Sequence, residues 1–512
     1  MFPTTSGSYS FTVTLADEDA TRALTVDIAA VLQPGDLVTL SGDLGAGKTA
    51  FARALIRHLA GDETVEVPSP SFTLMQTYEL PRYPLVHADL YRLSGPAELA
   101  ELGFEDIPPG AVTLVEWPDR AAGLLPGDRL DIALTLSPQH GATFRNARVT
   151  GYGTMASRAE RLAIMRAFLA RAGFAKASRQ YVQGDASTRA YERLTLSGAS
   201  YILMNSPKRP DGPAVRDGKP YSAVAHLAED VTPFIAMAGA LRARGFSAPE
   251  IFAADRAAGL LVIEDFGREL VVAGDPPAPI EVCYEAAVDL LAALHRQALP
   301  EVLPLEPGED YALPRYDTDA LLIEAELLVD WYLPLLNAKL APARRDTYVA
   351  LWHEALLPVV EMPATWVLRD YHSPNLLWLP QRAGVARIGL LDFQDAVIGP
   401  AAYDVASLLQ DARVDVPEKI EIALLARYTR ARRAAEPGFD TPAFARAYAT
   451  LAAQRASKIL GIFARLDRRD GKPQYLRHIP RVWAYLRRSL AHPALAPLAA
   501  WIRANVPNLK AL

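Results

Sequence analysis

Three polar residues follow apolar runs between residues 367 and 400, at spacings typical of phosphoryl-transfer catalysis. Asp370 and Asn375 stand five positions apart, and Asp392 directly follows the apolar run 388–391. This order matches a catalytic loop that holds a base and a magnesium-binding amide, followed by a metal-binding aspartate. A carboxylate must accept the hydrogen bond of an acceptor hydroxyl, and oxygen ligands must hold Mg²⁺ on the nucleotide phosphates. We therefore predict a phosphotransferase in which Asp370 is the base and Asn375 and Asp392 bind Mg²⁺.

A second motif lies near the start of the chain and fits the phosphate-binding pattern G-x4-G-K-[ST]. A short β-rich run precedes it and a helical pattern follows it, which is the context that such a loop requires. Its glycines let backbone N–H groups face phosphate oxygens, while Lys48 reaches the β and γ phosphates and Thr49 offers its hydroxyl to Mg²⁺. We predict that ATP binds to eight residues here: Gly42, Asp43, Leu44, Gly45, Ala46, Gly47, Lys48 and Thr49.

A phosphate-binding loop of this kind needs an acidic partner for the metal, normally at the end of a buried strand. Two apolar runs qualify, because one ends at Asp89 and the other ends at Glu116. Either carboxylate could instead cap the helix that follows it. The chemistry of the residues therefore leaves the choice between Asp89 and Glu116 open.

The phosphate-binding loop is the first of four ordered motifs in this part of the chain. They are GDLGAGKTAF, then VPSPSFTL at residues 67–74, then HADLYRL at residues 87–93, and then Glu116-Trp117. This series resembles the TsaE family, the small ATPases of bacterial tRNA threonylcarbamoyladenosine synthesis. Ser71 stands where the family usually has threonine, and it keeps the hydroxyl.

The TsaE resemblance implies roles that the residue types alone leave open. It implies that Glu116 binds Mg²⁺, that Asp89 orients water or metal nearby, and that residues 69–73 form a nucleotide-sensing loop. Lys48, Glu116 and Asp89 are then the catalytic residues of an ATPase. Such proteins work with two partners, TsaB and TsaD, and do not transfer the threonylcarbamoyl group themselves. We therefore expect ATP hydrolysis that resets a partner complex, with tRNA involved only indirectly.

The later catalytic motifs carry a second resemblance, over roughly residues 155–505. The stretches LRDYHSPNLLWL and LLDFQDAVIGPAAYDVASLLQD resemble the aminoglycoside phosphotransferase superfamily. Within it they are most similar to the anomeric N-acetylmuramate/N-acetylglucosamine kinases. Two positions depart from protein kinases, namely Leu368, where their catalytic loop has histidine, and Gln394, where the DFG motif has glycine.

Three further features fit a kinase-like nucleotide site. A turn containing Ser187 is expected to cover the phosphates, with a plain β-turn as the alternative. The run that ends at Met204 lacks the usual phosphate lysine, and we expect Lys208 or Lys219 in the following loop to replace it. Glu264 follows an apolar run at the expected hinge between two lobes, where backbone groups would receive adenine.

Length and composition limit the remaining possibilities. A chain of 512 residues is too long for one ordinary core, so two or three domains are expected. The net charge of −6 gives no general electrostatic reason to bind nucleic acid directly. The single cysteine, Cys283, excludes an intrachain disulfide and fits a reducing compartment. We expect a cytoplasmic protein without a membrane partner, because neither a signal peptide pattern nor a membrane-spanning apolar run is present.

These features together predict an α/β protein with two ATP-using modules. We place a P-loop NTPase domain with a mainly parallel sheet at residues 1–140 and a linker at residues 141–156. A bilobal protein-kinase-like α+β domain should follow, with its small lobe at residues 157–266 and a largely helical large lobe at residues 267–512.

The predicted function is bifunctional. The first module is expected to be the ATPase subunit of tRNA N6-threonylcarbamoyladenosine synthesis. The second is expected to phosphorylate the anomeric hydroxyl of N-acetylmuramate or N-acetylglucosamine, which would feed peptidoglycan recycling. The alternatives are another acceptor, such as an aminoglycoside or a choline-like alcohol, or a nucleotide-binding scaffold without turnover in one half.

Overall fold

The computed structural model describes eight stretches of the chain and groups the chain into two compact units, Met1–Leu203 and Met204–Leu512. The predicted nucleotide-binding residue Ser187 lies outside the described residues. The described stretches are residues 7–93, 98, 107–121, 124–141, 143–182, 189–208, 212–306 and 308–507.

Seven strands of the first unit form one mixed sheet. They are β1 (Ser8–Leu15), β2 (Leu37–Ser41), β3 (Met75–Tyr78), β4 (Leu85–Asp89), β5 (Val112–Glu116), β6 (Arg129–Leu136) and β7 (Arg145–Tyr152). Their order is β1-β7-β6-β2-β5-β4-β3. The four central strands β6, β2, β5 and β4 pair in parallel, and β1, β7 and β3 are antiparallel to their neighbours. The prediction of a parallel sheet is therefore confirmed at the centre, where strands β4 and β5 are buried along their full length.

In the described part of the first unit, three helices pack on this sheet, and they are α1 (Glu18–Val31), α2 (Lys48–Ala60) and α3 (Met155–Arg171). Helix α1 begins where the side chain of Asp17 accepts a hydrogen bond from the backbone N–H of Ala20, at 2.7 Å. Helix α2 follows β2 through the phosphate-binding loop and ends at Gly61, whose left-handed φ of 66° suits glycine. The helices contribute their apolar faces to one core with the inner strands.

The structure differs from the prediction at the stretch proposed as a linker, residues 141–156. Strand β7 occupies most of it and pairs with β1 on one side and β6 on the other. The first residues of α3, Met155 and Ala159 among them, are buried in the core of the first unit. Polar residues such as Thr150 suggested a loop, yet a strand paired on both sides satisfies its backbone groups without an apolar sequence.

A five-stranded sheet follows in the order β13-β14-β10-β9-β8, and the boundary between the two units lies within β10. Its strands and a small neighbouring hairpin are β8 (Ser178–Val182), β9 (Ala190–Leu196), β10 (Ala199–Asn205), β11 (Ala214–Arg216), β12 (Lys219–Pro220), β13 (Ile251–Asp255) and β14 (Leu260–Glu264). A cluster of ion pairs links β8 and β9 to helices α1 and α3. Asp27 of α1 pairs with Arg166 of α3 and with Arg179 of β8, and Arg179 Nε lies 2.8 Å from Glu192 Oε2 of β9.

The second unit holds short strand pairs that place the catalytic loops. Strand β19 pairs with β22, and β20 pairs with β21, so the segment after β19 and the segment after β21 lie side by side. The strands are β15 (Val272–Ala273), β16 (Ala278–Pro279), β17 (Val302–Glu306), β18 (Glu309–Ala312), β19 (Ala364–Val367), β20 (Leu376–Trp378), β21 (Ile388–Leu390) and β22 (Val397–Pro400).

Helices make up most of the second unit, which confirms the prediction of a largely helical large lobe. They are α4 (Tyr221–Val224), α5 (Thr232–Arg242), α6 (Glu281–His295), α7 (Thr318–Ala325), α8 (Leu333–Leu335), α9 (Pro342–Val360), α10 (Ala402–Leu409), α11 (Glu418–Ala435), α12 (Thr441–Asp470), α13 (Ile479–Ser489) and α14 (Ala496–Asn505). Short 3₁₀ turns lie at Ser373–Asn375 and Pro473–His478, and a π-helical turn lies at Leu328–Tyr332. Within the described part of the chain, none of the helices is both long and apolar enough to cross a membrane.

The close approach of α12 to the π-helical turn gives a stability prediction. A Cβ added at Gly461 would lie 2.3 Å from the backbone carbonyl of Leu327, so Gly461→Ala must push the two segments apart. We expect a destabilisation of about 1–3 kcal/mol in chemical unfolding. Gly239→Ala in α5 is the matched control, because nothing lies within 4 Å of its added Cβ, and it should be neutral or stabilise by up to about 1 kcal/mol.

Tryptophan fluorescence suits this measurement. Trp117 is the only one of the seven tryptophans in the first unit, so the signal reports mainly on the second. Equal unfolding midpoints for Gly461→Ala and Gly239→Ala would contradict the packing described here.

Candidate active sites

The phosphate-binding loop joins β2 to α2 and depends on a glycine at its start. Gly42 has a φ of 133°, and a Cβ there would lie 2.2 Å from the backbone oxygen of Leu134 in β6. Only glycine fits this position without moving the strand. The loop then leads through Gly47, with a φ of 103°, into the first turn of α2, so the free N–H groups of that helix end point at the loop.

The side chain of Lys48 folds back onto the phosphate-binding loop. Its Nζ donates to the backbone oxygens of Gly42 at 2.7 Å and Asp43 at 2.9 Å, and it lies 3.5 Å from the ring centre of Trp117. Burial lowers the pKa of Lys48, while the carboxylate of Glu116 acts in the opposite direction. The loop carbonyls and the indole face thus hold the ammonium among the backbone groups that would receive phosphates.

The structure separates the two carboxylates that the residue chemistry could not rank. Glu116 and Asp89 are direct partners across the parallel pair β4–β5. Glu116 Oε2 accepts a hydrogen bond from Thr49 Oγ1 at 2.9 Å, so it contacts the hydroxyl expected at the metal. Asp89 Oδ2 instead accepts a hydrogen bond from Ser69 Oγ at 2.6 Å, so it contacts the segment expected to sense the nucleotide. This geometry favours Glu116 as the carboxylate beside the metal.

His87 is a residue of this site that sequence reasoning missed. Its Nε2 lies 3.0 Å from Glu116 Oε1, and both side chains are buried. It therefore fixes the second oxygen of Glu116 while Thr49 contacts the first. The signal in the sequence was a histidine within an otherwise apolar buried strand, two positions before Asp89.

In the second unit, Asp404 fixes the backbone of the catalytic loop. Its buried carboxylate accepts hydrogen bonds from the backbone N–H of Leu368 at 2.7 Å and of Arg369 at 2.9 Å. Arg369 has a left-handed φ of 62°, a conformation that a long side chain adopts only where its surroundings impose it. Asp370 follows directly, so its position depends on this anchored turn.

Asp370 is the predicted base, and its charge is set by the cations around it. Its side chain is 34% exposed, which leaves room for an acceptor hydroxyl. Burial acts to raise its pKa, but the cations Lys458 and Arg455 act in the opposite direction, and the pKa stays below the ordinary value of aspartate. The carboxylate is therefore ionised at neutral pH.

The two predicted metal ligands lie together beside Asp370. The amide nitrogen of Asn375 donates to the backbone oxygen of Asp370 at 2.9 Å and lies 3.5 Å from Asp392 Oδ2. Gln394 Nε2 donates to Asp392 Oδ1 at 3.0 Å, so the residue that replaces the DFG glycine orients the aspartate. A carboxylate and the amide oxygen of Asn375 suit Mg²⁺, which binds few protein oxygens when phosphates supply the others. Among the described residues, no cluster of three or more metal-binding side chains exists.

Glu324 of α7 is a buried carboxylate that sequence reasoning missed. It contacts the catalytic loop through Arg369. Its Oε1 lies 2.7 Å from Lys458 Nζ of α12 and also pairs with the guanidinium of Arg369. Burial acts to raise the pKa of Glu324, but Lys458 and Arg369 outweigh it and lower the pKa to about 2. The local sequence around Glu324 is an ordinary helix, so its role becomes visible only when α12 packs against α7.

The residues predicted to bind the nucleotide in this unit differ from those of protein kinases, as the sequence indicated. Met204 is buried in β10 at the position predicted for the phosphate lysine, and α5, the next long helix among the described residues, contains no acidic residue. The two proposed substitutes, Lys208 and Lys219, are exposed. The carboxylate of Glu264 pairs with Arg382, and its other oxygen lies 3.6 Å from Arg242. Its backbone remains the part that the hinge prediction assigns to adenine.

Comparison with known families agrees with these two sites. The family model described as "Threonylcarbamoyl adenosine biosynthesis protein TsaE" matches residues 15–144. The model of the phosphotransferase enzyme family, APH, matches residues 178–448, which is more than half of the chain.

Individual relatives match each half separately. A protein named N-acetylmuramate/N-acetylglucosamine kinase from Caulobacter vibrioides is 43% identical over 361 residues, covering 68% of this chain and 97% of that protein. One of the same name from Pseudomonas aeruginosa is 34% identical, covering 63% of this chain and 87% of that protein. The tRNA threonylcarbamoyladenosine biosynthesis protein TsaE of Rickettsia bellii is 42% identical, covering 24% of this chain and 84% of that protein. The chain therefore belongs to the phosphotransferase enzyme family through its second half and carries a TsaE-family domain in its first half.

Proposed function

We propose that the second half transfers the γ-phosphoryl group of ATP to the anomeric hydroxyl of N-acetylmuramate or N-acetylglucosamine. The observation that carries this proposal is the cluster of Asp370, Asn375 and Asp392 on two adjacent loops. The name and the 43% identity of the Caulobacter relative, of which this chain covers 97%, support the choice of acceptor.

In this proposal Asp370 accepts the hydrogen bond of the anomeric hydroxyl and takes its proton as the bond to phosphorus forms. Asn375 and Asp392 would hold Mg²⁺, which neutralises charge on the phosphates when bound. The bond between the γ phosphorus and the bridging oxygen breaks, and ADP leaves with that oxygen. Because Asp404 and Glu324 fix the turn that carries Asp370, the base is positioned before the acceptor arrives.

The charges around Asp370 weigh against the aminoglycoside alternative. Aminoglycosides are polycations, and a site for them requires carboxylates that remain unpaired. Here the cations Lys458 and Arg455 face Asp370. These surroundings favour a neutral or anionic acceptor.

We infer that the first half is the ATPase subunit of tRNA N6-threonylcarbamoyladenosine synthesis, working with TsaB- and TsaD-like partners and contacting tRNA only indirectly. The contact of Thr49 with Glu116 and of Ser69 with Asp89 supports this role, because it links the nucleotide site to the neighbouring loop. Phe72 is 82% exposed on that loop, which suits contact with a partner protein. Because both proposed reactions consume ATP, the proposal places the protein in the cytoplasm.

The kinase proposal predicts the effect of one isosteric substitution. Asp370→Asn removes the base without changing the size of the side chain, so sugar-dependent ADP release should fall by about 10²–10⁴-fold. The measurement is a coupled ADP-release assay with N-acetylmuramate or N-acetylglucosamine. Asp289→Asn is the control, because it breaks a partly exposed ion pair with Arg427 and should leave the rate within about twofold. Full activity of Asp370→Asn would refute the role of the base.

The ATPase proposal predicts a difference between two substitutions of one residue. Thr49→Val keeps the shape but removes the hydroxyl that contacts Glu116, so sugar-independent ATP hydrolysis should fall by about 10–100-fold, or about 1.4–2.7 kcal/mol. Thr49→Ser keeps the hydroxyl and should retain most of the activity. Both variants are measured with TsaB- and TsaD-like partners in an Asp370→Asn background, which removes the kinase reaction. Equal rates for the valine and serine variants would contradict the proposed metal contact.

A further inference from the structure

The side chain of Arg455 is nearly buried beside Asp370, and one of its nitrogens is not satisfied. Arg455 lies on α12, and its side chain is 7% exposed. Its Nη2 lies 4.0 Å from Asp370 Oδ1, whereas its buried Nη1 has no hydrogen-bond partner among the residues that the structure describes. Burying a guanidinium donor without a partner is costly, so this nitrogen requires a partner from outside the described residues, either water or a ligand.

The other cations around Asp370 differ from Arg455 in this respect. Lys458 and Arg369 both pair with the buried carboxylate of Glu324. Lys458 Nζ also lies 3.5 Å from the hydroxyl of Tyr403, and Arg369 Nη1 donates to the backbone oxygen of Ala225 at 2.8 Å. These contacts serve the structure of the loop. The long contact from Arg455 to Asp370 leaves most of its hydrogen-bonding capacity unused.

Asp370 is the only carboxylate of the described residues that lies within 4.0 Å of the Arg455 guanidinium. The nearby carboxylate of Asp411 is already engaged, because it accepts hydrogen bonds from the backbone and the hydroxyl of Ser373. An anion from outside the chain is therefore the natural partner of Arg455.

One of the two proposed acceptors carries such an anion. N-acetylmuramate differs from N-acetylglucosamine by a lactyl ether that ends in a carboxylate. A guanidinium binds a carboxylate through two parallel hydrogen bonds, which gives both strength and orientation. Both the lactyl group and the anomeric hydroxyl belong to the same sugar ring, so a guanidinium next to the base can bind one while Asp370 faces the other.

We propose that Arg455 is a specificity-determining residue that binds the carboxylate of N-acetylmuramate and selects it over N-acetylglucosamine. This inference rests on the proposed sugar kinase function. In this arrangement the lactyl carboxylate of the acceptor binds to helix α12, next to the catalytic loop.

Kinetic measurements with both sugars and with ATP distinguish this role of Arg455 from two other possible roles. If Arg455 bound a phosphate of ATP, its loss would raise the KM for ATP with either sugar. If it served only to keep Asp370 ionised, its loss would slow both sugars equally. Only a contact with the lactyl carboxylate changes the ratio between the two sugars.

The test is to measure kcat and KM for both sugars and for ATP in the full-length protein and its variants. Arg455→Gln should lower kcat/KM for N-acetylmuramate by about 10–100-fold relative to N-acetylglucosamine, as expected for the loss of a charge-assisted pair. Arg455→Lys keeps the charge but not the paired donors, and its ratio should lie between those of the wild type and Arg455→Gln. Arg468→Gln is the matched control, because Arg468 lies on the same helix with its side chain 54% exposed.

A change on the substrate avoids any effect of mutation on folding. The carboxamide of N-acetylmuramate has nearly the same shape without the charge, so it should be a poorer substrate than N-acetylmuramate for the wild type. With Arg455→Gln the two should perform alike, because the interaction is then absent on both sides.

Equal losses on both sugars, a raised KM for ATP with an unchanged sugar ratio, or equal use of acid and amide by the wild type would each overturn the inference. These results would leave the kinase function standing. If the wild-type protein phosphorylates neither sugar, the proposed function fails and the inference fails with it.

Discussion

Each half of this chain depends on holding one carboxylate in a fixed position at its candidate site. A carboxylate removed from water needs hydrogen bonds or cations that compensate for the lost hydration. In the first half, Glu116 receives a hydrogen bond from Thr49 and contacts His87 at the end of a buried strand. In the second half, cations on α12 and in the catalytic loop keep Asp370 ionised.

The second half solves a further problem, which is to hold its catalytic turn in an unfavourable backbone conformation. The left-handed φ of Arg369 is maintained by Asp404 on its backbone and Glu324 on its guanidinium. Glu324 in turn depends on Lys458 for compensation of its charge. The long helix α12 thus supports the turn through Lys458, and it also carries Arg455, whose Nη2 lies 4.0 Å from Asp370 Oδ1.

The residues that the sequence could predict are those whose function depends on local spacing. Spacing predicted that Asp370, Asn375 and Asp392 form one site, and the structure brings these three residues together. Lys48 and Thr49 were predicted from a phosphate-binding loop that is continuous in the chain. Glu324, Lys458 and Arg455 were not, because they lie on helices whose sequences reveal an inward face but not the partner that they meet. The predicted linker failed for a related reason, since β7 owes its existence to strands β1 and β6, which are distant in sequence. Residue chemistry alone left Glu116 and Asp89 unranked, whereas the TsaE resemblance implied Glu116 as the metal ligand, and the contacts of each side chain favour the same choice.

The central claim of this account is that one chain contains two independent ATP-using sites with different chemistry. Phosphorus NMR of the full-length protein with ATP, Mg²⁺ and N-acetylmuramate tests it most directly, in parallel with Lys48→Ala and Asp370→Asn. The account predicts the signal of an anomeric sugar phosphate that persists with Lys48→Ala and disappears with Asp370→Asn. If only ADP and inorganic phosphate form, and Lys48→Ala abolishes both, the first half is the only working site and the proposed acceptor is wrong.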